Sequence, residues 1–163
     1  MNKRNSTITV VNNILNYYRQ KDKKLISLNL IAKRINDKQL SVSILKNWSS
    51  GRTTPSLNQL NILAYHMSIH PSQLLIEDIQ FSIGTPIWKD NIVDIFYSNF
   101  EKYNRRKQIS PKNFDEDKIS YRSYRETLLT RSSTVSLKKI DTIASILDIE
   151  TIKLLEENDE KKD

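Results

Sequence analysis

The sequence predicts an all-α chain made of two tandem five-helix units joined by a short extended linker. Three observations carry that expectation. Apolar residues recur at three- and four-residue spacing along nearly the whole of the 163 residues. SLNQLNILAYHMSIHPSQLLIED, starting at Ser56, aligns without a gap with SLKKIDTIASILDIETIKLLEEN, starting at Ser136. Between the two copies, IQFSIGTPIW alternates apolar and polar residues before Gly84 and Pro86 break the pattern.

Taken in order, the first helix is predicted from Val10, Val11, Ile14, Leu15 and Tyr18, after a Ser/Thr-rich start that can cap it. Leu28, Ile31, Ala32 and Ile35 follow Ser27 as a second helix. Leu40, Leu45 and Trp48 give a third, capped by Ser41 and closed by Gly51 and Pro55 in a turn. Leu57, Leu60, Leu63, Ala64 and Met67 form a fourth after Ser56, and Pro71 opens a fifth carrying Leu74 and Leu75.

The repeat extends this reading to the second half. Leu57 aligns with Leu137, Leu60 with Ile140, Leu63 with Ile143, Ala64 with Ala144, Met67 with Leu147, and Leu74 and Leu75 with Leu154 and Leu155. Upstream, Val11, Ile14 and Leu15 match Ile92, Ile95 and Phe96 at an offset of 81, and Leu40-Ser41 matches Ile119-Ser120. The expected organisation is therefore a first unit at 1–78, a linker at 79–87, a second unit at 88–158 and an acidic, solubilising tail at 159–163. Ile79, Phe81 and Ile83 make the linker a short strand or an extended segment held by apolar contacts.

Composition narrows the function. The chain has no Cys, so disulfides, thiolate catalysis and sulfur-ligated zinc are excluded. Its two histidines, His66 and His70, have helical spacing but no third ligand type nearby, so no metal and no cofactor are expected. Two glycines are too few for a nucleotide-cradling loop, and the seven tyrosines have no accompanying base or metal cluster, so no catalytic residue is assigned. No run approaches the ~20 apolar residues of a membrane span, and the start lacks the apolar core of a secretory signal, so no membrane association and a cytoplasmic location are expected. Lys and Arg total 26 against 19 Asp and Glu, a net charge of +7 that favours a polyanionic partner. Residues 1–80 hold 11 basic and 4 acidic side chains, whereas 81–163 hold 15 of each.

The string IAKRIN, LSVSILKNWSSGRTTPSLNQLNILAYHMSIHPSQLL carries a more specific signal. Ile31-Ala32 in the second helix, Leu40-Ser41 opening the third, Trp48 three residues before Gly51-Arg52, and Pro55-Ser56-Leu57 starting the fourth form one pattern over some 50 residues. This pattern resembles the helix-turn-helix domain of the Cro and phage-repressor (Xre-like) family, with its lambda-repressor-like fold. The chain departs from that family at Leu28, where many members carry a DNA-contacting Gln, at Ser49, where Glu is common, and in a longer turn at 36–39. The second copy is similar more loosely: Pro111 follows Ser110 and Ile119-Ser120 recurs, but Arg131 stands in place of the Gly and Val135 in place of Pro55.

The resemblance implies double-stranded DNA as the partner. With Leu40, Leu45 and Trp48 inward, the third helix would offer Ser41, Val42, Ser43, Lys46 and Asn47 to the major groove. Asn47 suits adenine, Val42 a thymine methyl, and Lys46 guanine or a phosphate. Arg52, Thr53 and Thr54, with Ser27 and Asn29, would hold phosphates. In the second copy the corresponding set is Tyr121, Arg122, Ser123, Arg125 and Glu126, backed by Arg131 and Ser132; the alternative is that Tyr121 or Tyr124 fills the core and the arginines form a solvated face. Lys102, Arg105, Arg106 and Lys107 read as the solvated end of a helix that also meets phosphate.

The function expected is sequence-specific DNA binding by a transcriptional regulator of a phage, plasmid or other mobile element, acting as an internal pseudo-dimer. An accessory role at a conjugative-transfer, replication or recombination site remains open. So does a protein-interaction role, as an antirepressor or anti-defence factor, with self-association or partner capture through 88–158.

Overall fold

Each α-helix begins at a side chain that takes up an N–H group the helix itself leaves unpaired. Asn5 caps α1 (Ser6–Lys21), Ser27 caps α2 (Leu28–Ile35) and Ser41 caps α3 (Val42–Ser49). Ser56 caps α4 (Leu57–Met67) in a reciprocal box with Gln59, whose side chain accepts from the Ser56 N–H. Asn91 caps α5 (Ile92–Lys107), Ser120 caps α6 (Tyr121–Thr130) and Ser136 caps α7 (Leu137–Ile146). Short 3₁₀ helices lie at Lys38–Leu40, Pro71–Leu75, Pro111–Asn113 and Thr151–Leu154.

The computed structural model describes residues 5–81, 88, 90–114 and 119–157. Among these residues the chain is all-helical, with no strand and one isolated antiparallel bridge between Ser56 and Ser136. No helix among them is long and apolar enough to cross a membrane. The expected tail at 159–163 and the linker residues from 82 to 87 lie outside the described residues, Ile83 included. The described start of the linker, 79–81, is neither helix nor strand, and Phe81 packs edge-on against Tyr17 with ring centroids 5.3 Å apart.

Several expected elements differ in kind. Leu40 belongs to the 3₁₀ helix before α3, because Ser41 is extended and serves as the cap. The fifth helix is a single 3₁₀ segment, Pro71–Leu75, with Pro71 at its first turn, where its missing N–H is no loss. The segment expected as the second copy's short second helix is only the 3₁₀ helix Pro111–Asn113.

In the first half, α1 packs on α2, α3 and the Pro71–Leu75 segment; in the second, α5 packs on α6 and the Thr151–Leu154 segment. The same buried hydrogen bonds recur in the two halves. The Asn13 amide donates to the carbonyls of Leu74 and Ile76 at 2.8 and 2.9 Å; the Asn99 amide donates to those of Leu154 and Glu156 at 3.1 and 2.8 Å. Asn13 is 1% exposed and Asn99 is fully buried. Gly51 and Arg131, which close α3 and α6, both take left-handed backbone, at φ 76° and 51°. These bonds correct the expected offset of 81 for the first helices: Val10, Asn13 and Ile14 correspond to Phe96, Asn99 and Phe100, a shift of 86.

The halves also cross-pack. α1 lies against α7, α4 lies against α5, and the two terminal 3₁₀ segments touch each other. At the start of α1 the Ser6 backbone N–H and hydroxyl donate to the Asp141 carboxylate of α7; at the start of α5 the Ile92 N–H donates to Asn61 Oδ1 of α4 at 3.0 Å. Trp88 Nε1 joins that same oxygen at 2.9 Å.

Candidate nucleic-acid interface

α3 is fixed by what it buries. Leu45 and Trp48 are 0% and 2% exposed, so the opposite side of this eight-residue helix faces solvent. Ser43 and Lys46 are exposed there, and Asn47 is half-buried. The Asn47 carbonyl accepts the N–H groups of Arg52 and Thr53 at 2.9 and 3.3 Å, which folds the following turn back onto the helix end. Its side-chain amide makes no hydrogen bond among the described residues.

The other predicted residues divide by what already engages them. The Ser27 and Ser41 hydroxyls are occupied as caps, accepting from Leu30 and Ile44 N–H groups at 3.3 and 3.4 Å. Val42 is half-buried and packs against the core, which leaves only part of its side chain to meet another surface. Asn29 is exposed on α2, and Arg52 and Thr53 are exposed beyond α3. Neither Lys46 nor Arg52 meets a carboxylate among the described residues.

The second half is arranged differently. Arg122 pairs with Glu126 at 3.1 Å, and Arg131 pairs with Glu101 at 3.0 Å, a carboxylate that also takes Arg105. Arg125 lies over the Tyr121 ring and reaches its hydroxyl at 3.3 Å, while that ring packs against Phe114 at 5.2 Å. Ser123 accepts from Lys139 Nζ at 3.1 Å, and the Ser132 hydroxyl is within 2.7 Å of Thr134. Tyr124 is the tyrosine that fills the core: it is 1% exposed and donates to Asn104 at 2.8 Å. Burial pushes its phenol well above the usual tyrosine range, so it remains a donor. Lys102, Arg105, Arg106 and Lys107 do lie in the last turns of α5, with Arg105 held by Glu101.

The two histidines serve separate local structures. His66 contacts Asp37 at 3.3 Å, and His70 caps the Pro71–Leu75 segment through Nδ1, which accepts from the Ser72 N–H. Burial holds the His70 ring below its ordinary range against the pull of Glu157, Asp90 and Glu156. Among the described residues no three side chains of metal-ligating type gather.

Residues not singled out from the sequence line the meeting of the halves: Asn58, Ser133, Thr134 and Lys138. The available signal was an absence of carboxylates. No Asp or Glu occurs from 38 to 76, nor from 127 to 140. No family model, no curated protein and no solved structure matches the chain.

Proposed function

We propose that the chain is a sequence-specific double-stranded DNA-binding protein, a transcriptional regulator of a phage, plasmid or other mobile element, built as two helix-turn-helix units in one chain. The observation that carries this reading is the solvent face of α3. It offers Ser43, Lys46 and the Asn47 amide beside Arg52, with no carboxylate among the described residues to neutralise either cation. A cation and an amide on one exposed face are the groups that read base edges and phosphates. The recurring Asn13 and Asn99 bonds support two copies of one unit, and the cross-packing of α1 on α7 and of α4 on α5 supports an internal pseudo-dimer.

The test is selection from a randomised duplex library by the purified chain, compared with Lys46→Ala/Asn47→Ala. The wild type should enrich one motif, and the double variant should lose roughly 1–3 kcal/mol per base contact at the affected positions. Both side chains lie away from the core, so folding should be retained. An unchanged motif and affinity would remove α3 as the reading element. Light scattering on the complex should give one chain per site; two chains on a perfect palindrome would refute the pseudo-dimer.

A second reading is favoured by the paired arginines of the second half. With Arg122, Arg125 and Arg131 already engaged by Glu126, Tyr121 and Glu101, residues 88–158 would serve self-association or a protein partner instead of base reading. A motif half the expected length, with chains associating in solution, would favour it.

A further inference from the structure

The two halves meet along a short antiparallel stretch whose surface belongs to neither half alone. Leu57 N donates to the Val135 carbonyl at 2.9 Å, and Leu137 N donates to the Pro55 carbonyl at 2.7 Å. Each segment gives the other the bond it receives, the reciprocity of an isologous contact. Two more bonds widen the junction: Asn58 N to the Ser133 carbonyl at 2.9 Å, and Lys138 N to Thr54 Oγ1 at 3.3 Å.

Arg52 and Thr53 on one side, and Ser133, Thr134 and Lys138 on the other, are all exposed around this junction. The carboxylate nearest Arg52 in sequence, Asp37, contacts His66; those that flank Lys138, Glu126 and Asp141, are engaged elsewhere, as is Glu101. Asp141 accepts from Ser6 and Thr151, Glu126 holds Arg122, and Glu101 holds Arg105 and Arg131. The cations are not duplicates of each other. With Ser56 paired to Ser136, the position matching Arg52 is Ser132 and the position matching Lys138 is Asn58. Each half therefore contributes one cation at a place where the other carries a neutral polar group, and the surface gains its charge only when the halves are together.

We infer that this junction is a backbone-phosphate site for duplex DNA, with Arg52 and Lys138 each neutralising a phosphate near the centre of the bound site and the Thr53, Ser133 and Thr134 hydroxyls beside them as donors. It rests on the DNA-binding reading above and adds Lys138, Ser133 and Thr134 to it. A site of this kind carries no sequence information and is read out in salt dependence.

The experiment measures affinity of the full chain for the duplex it selects from a randomised library, at 50 to 200 mM salt, for wild type and Arg52→Ala/Lys138→Ala. One phosphate neutralised accounts for about a 3.5-fold loss over that range, so the double variant's loss should be about twelvefold smaller than that of the wild type, with the selected motif unchanged. A second measurement needs no variant: methylphosphonate at the central phosphates should weaken wild-type binding, and weaken the double variant less. If the wild type binds duplex but the salt slope is unchanged and central methylphosphonates have no effect, the junction site is overturned and α3 reading survives. If the wild type binds no duplex, or prefers heparin to every duplex, both readings fall.

Discussion

Asn13 offers a direct measurement of how the first half is held together. Its amide is 1% exposed and supplies the donors for the carbonyls of Leu74 and Ile76, tying α1 to the end of the Pro71–Leu75 segment. Asn13→Ala removes both bonds. Leu74 is fully buried, so water cannot replace the lost donor there, and an unpaired buried carbonyl costs about 1–3 kcal/mol. Ile76 is 39% exposed, so its carbonyl can turn to water and loses only the net worth of a bond, about 0.5–1.5 kcal/mol. The expected destabilisation is about 2–4 kcal/mol. Asn13→Asp should cost more at neutral pH, since it keeps the volume but turns a negative acceptor toward two carbonyls. Urea unfolding followed by helical circular dichroism and by the two tryptophans, Trp48 and Trp88, supplies both numbers. A loss below about 0.5 kcal/mol for Asn13→Ala, or Asp better tolerated than Ala, would show that the residue fills space and does not act as a donor.

Asn99→Ala should cost a similar amount, and the double variant close to the sum, because the two amides serve separate pairs of carbonyls; a second mutation without further effect would refute this. Stability should fall as pH drops below about 6.5, because His70 stays neutral in the folded chain while the unfolded chain takes up the proton. His70→Asn, which can still cap Ser72, should flatten that slope in urea melts taken across pH 5 to 8; an undiminished slope would contradict the assignment. Asp141 is the reverse case: burial raises its carboxyl pKa, so its ionised form costs stability at neutral pH and the cost disappears as pH falls. Asp141→Asn, matching Asn61 of the other half, should leave stability at pH 7 within about 1 kcal/mol and remove that acid-range gain. A loss of several kcal/mol would mean that the negative charge itself holds Ser6 and Thr151.

The helix starts were legible because caps and apolar spacing are local: Ser27, Ser41, Ser56, Ser120 and Ser136 each sit where the spacing places a first turn. The apolar match between α4 and α7 was legible, since the buried positions of both helices are all apolar. The match was misaligned in α1 and α5 because an apolar triplet recurs within a turn or so, so Ile92, Ile95 and Phe96 imitate the pattern. The triplets that share their hydrogen bonds each contain a buried Asn, and an apolar match passes over it. Asn5, Asn13 and Tyr17 against Asn91, Asn99 and Tyr103 were the polar landmarks that fix the register. The engagement of Arg131 was not legible, since Glu101 is 30 residues away and meets it only through the fold. Nor was the junction, whose bonds join residues some 80 positions apart through backbone groups that every sequence carries.

Both sides of the Ser56–Ser136 bridge belong to one polypeptide, so this contact has no dissociation constant in the ordinary sense. Two separate subunits held by the same bonds would part on dilution, and their combined surface would vanish with roughly the square of concentration. Here the partner segment is always supplied at the effective concentration set by the intervening chain. Whatever the combined surface engages is therefore engaged in simple proportion to the number of chains, with no threshold at low copy number. The tether also changes how substitutions act. In a dimer of identical subunits every change appears twice across the axis, whereas here the position equivalent to Arg52 can hold a serine and the position equivalent to Lys138 an asparagine, so one side can change without the other.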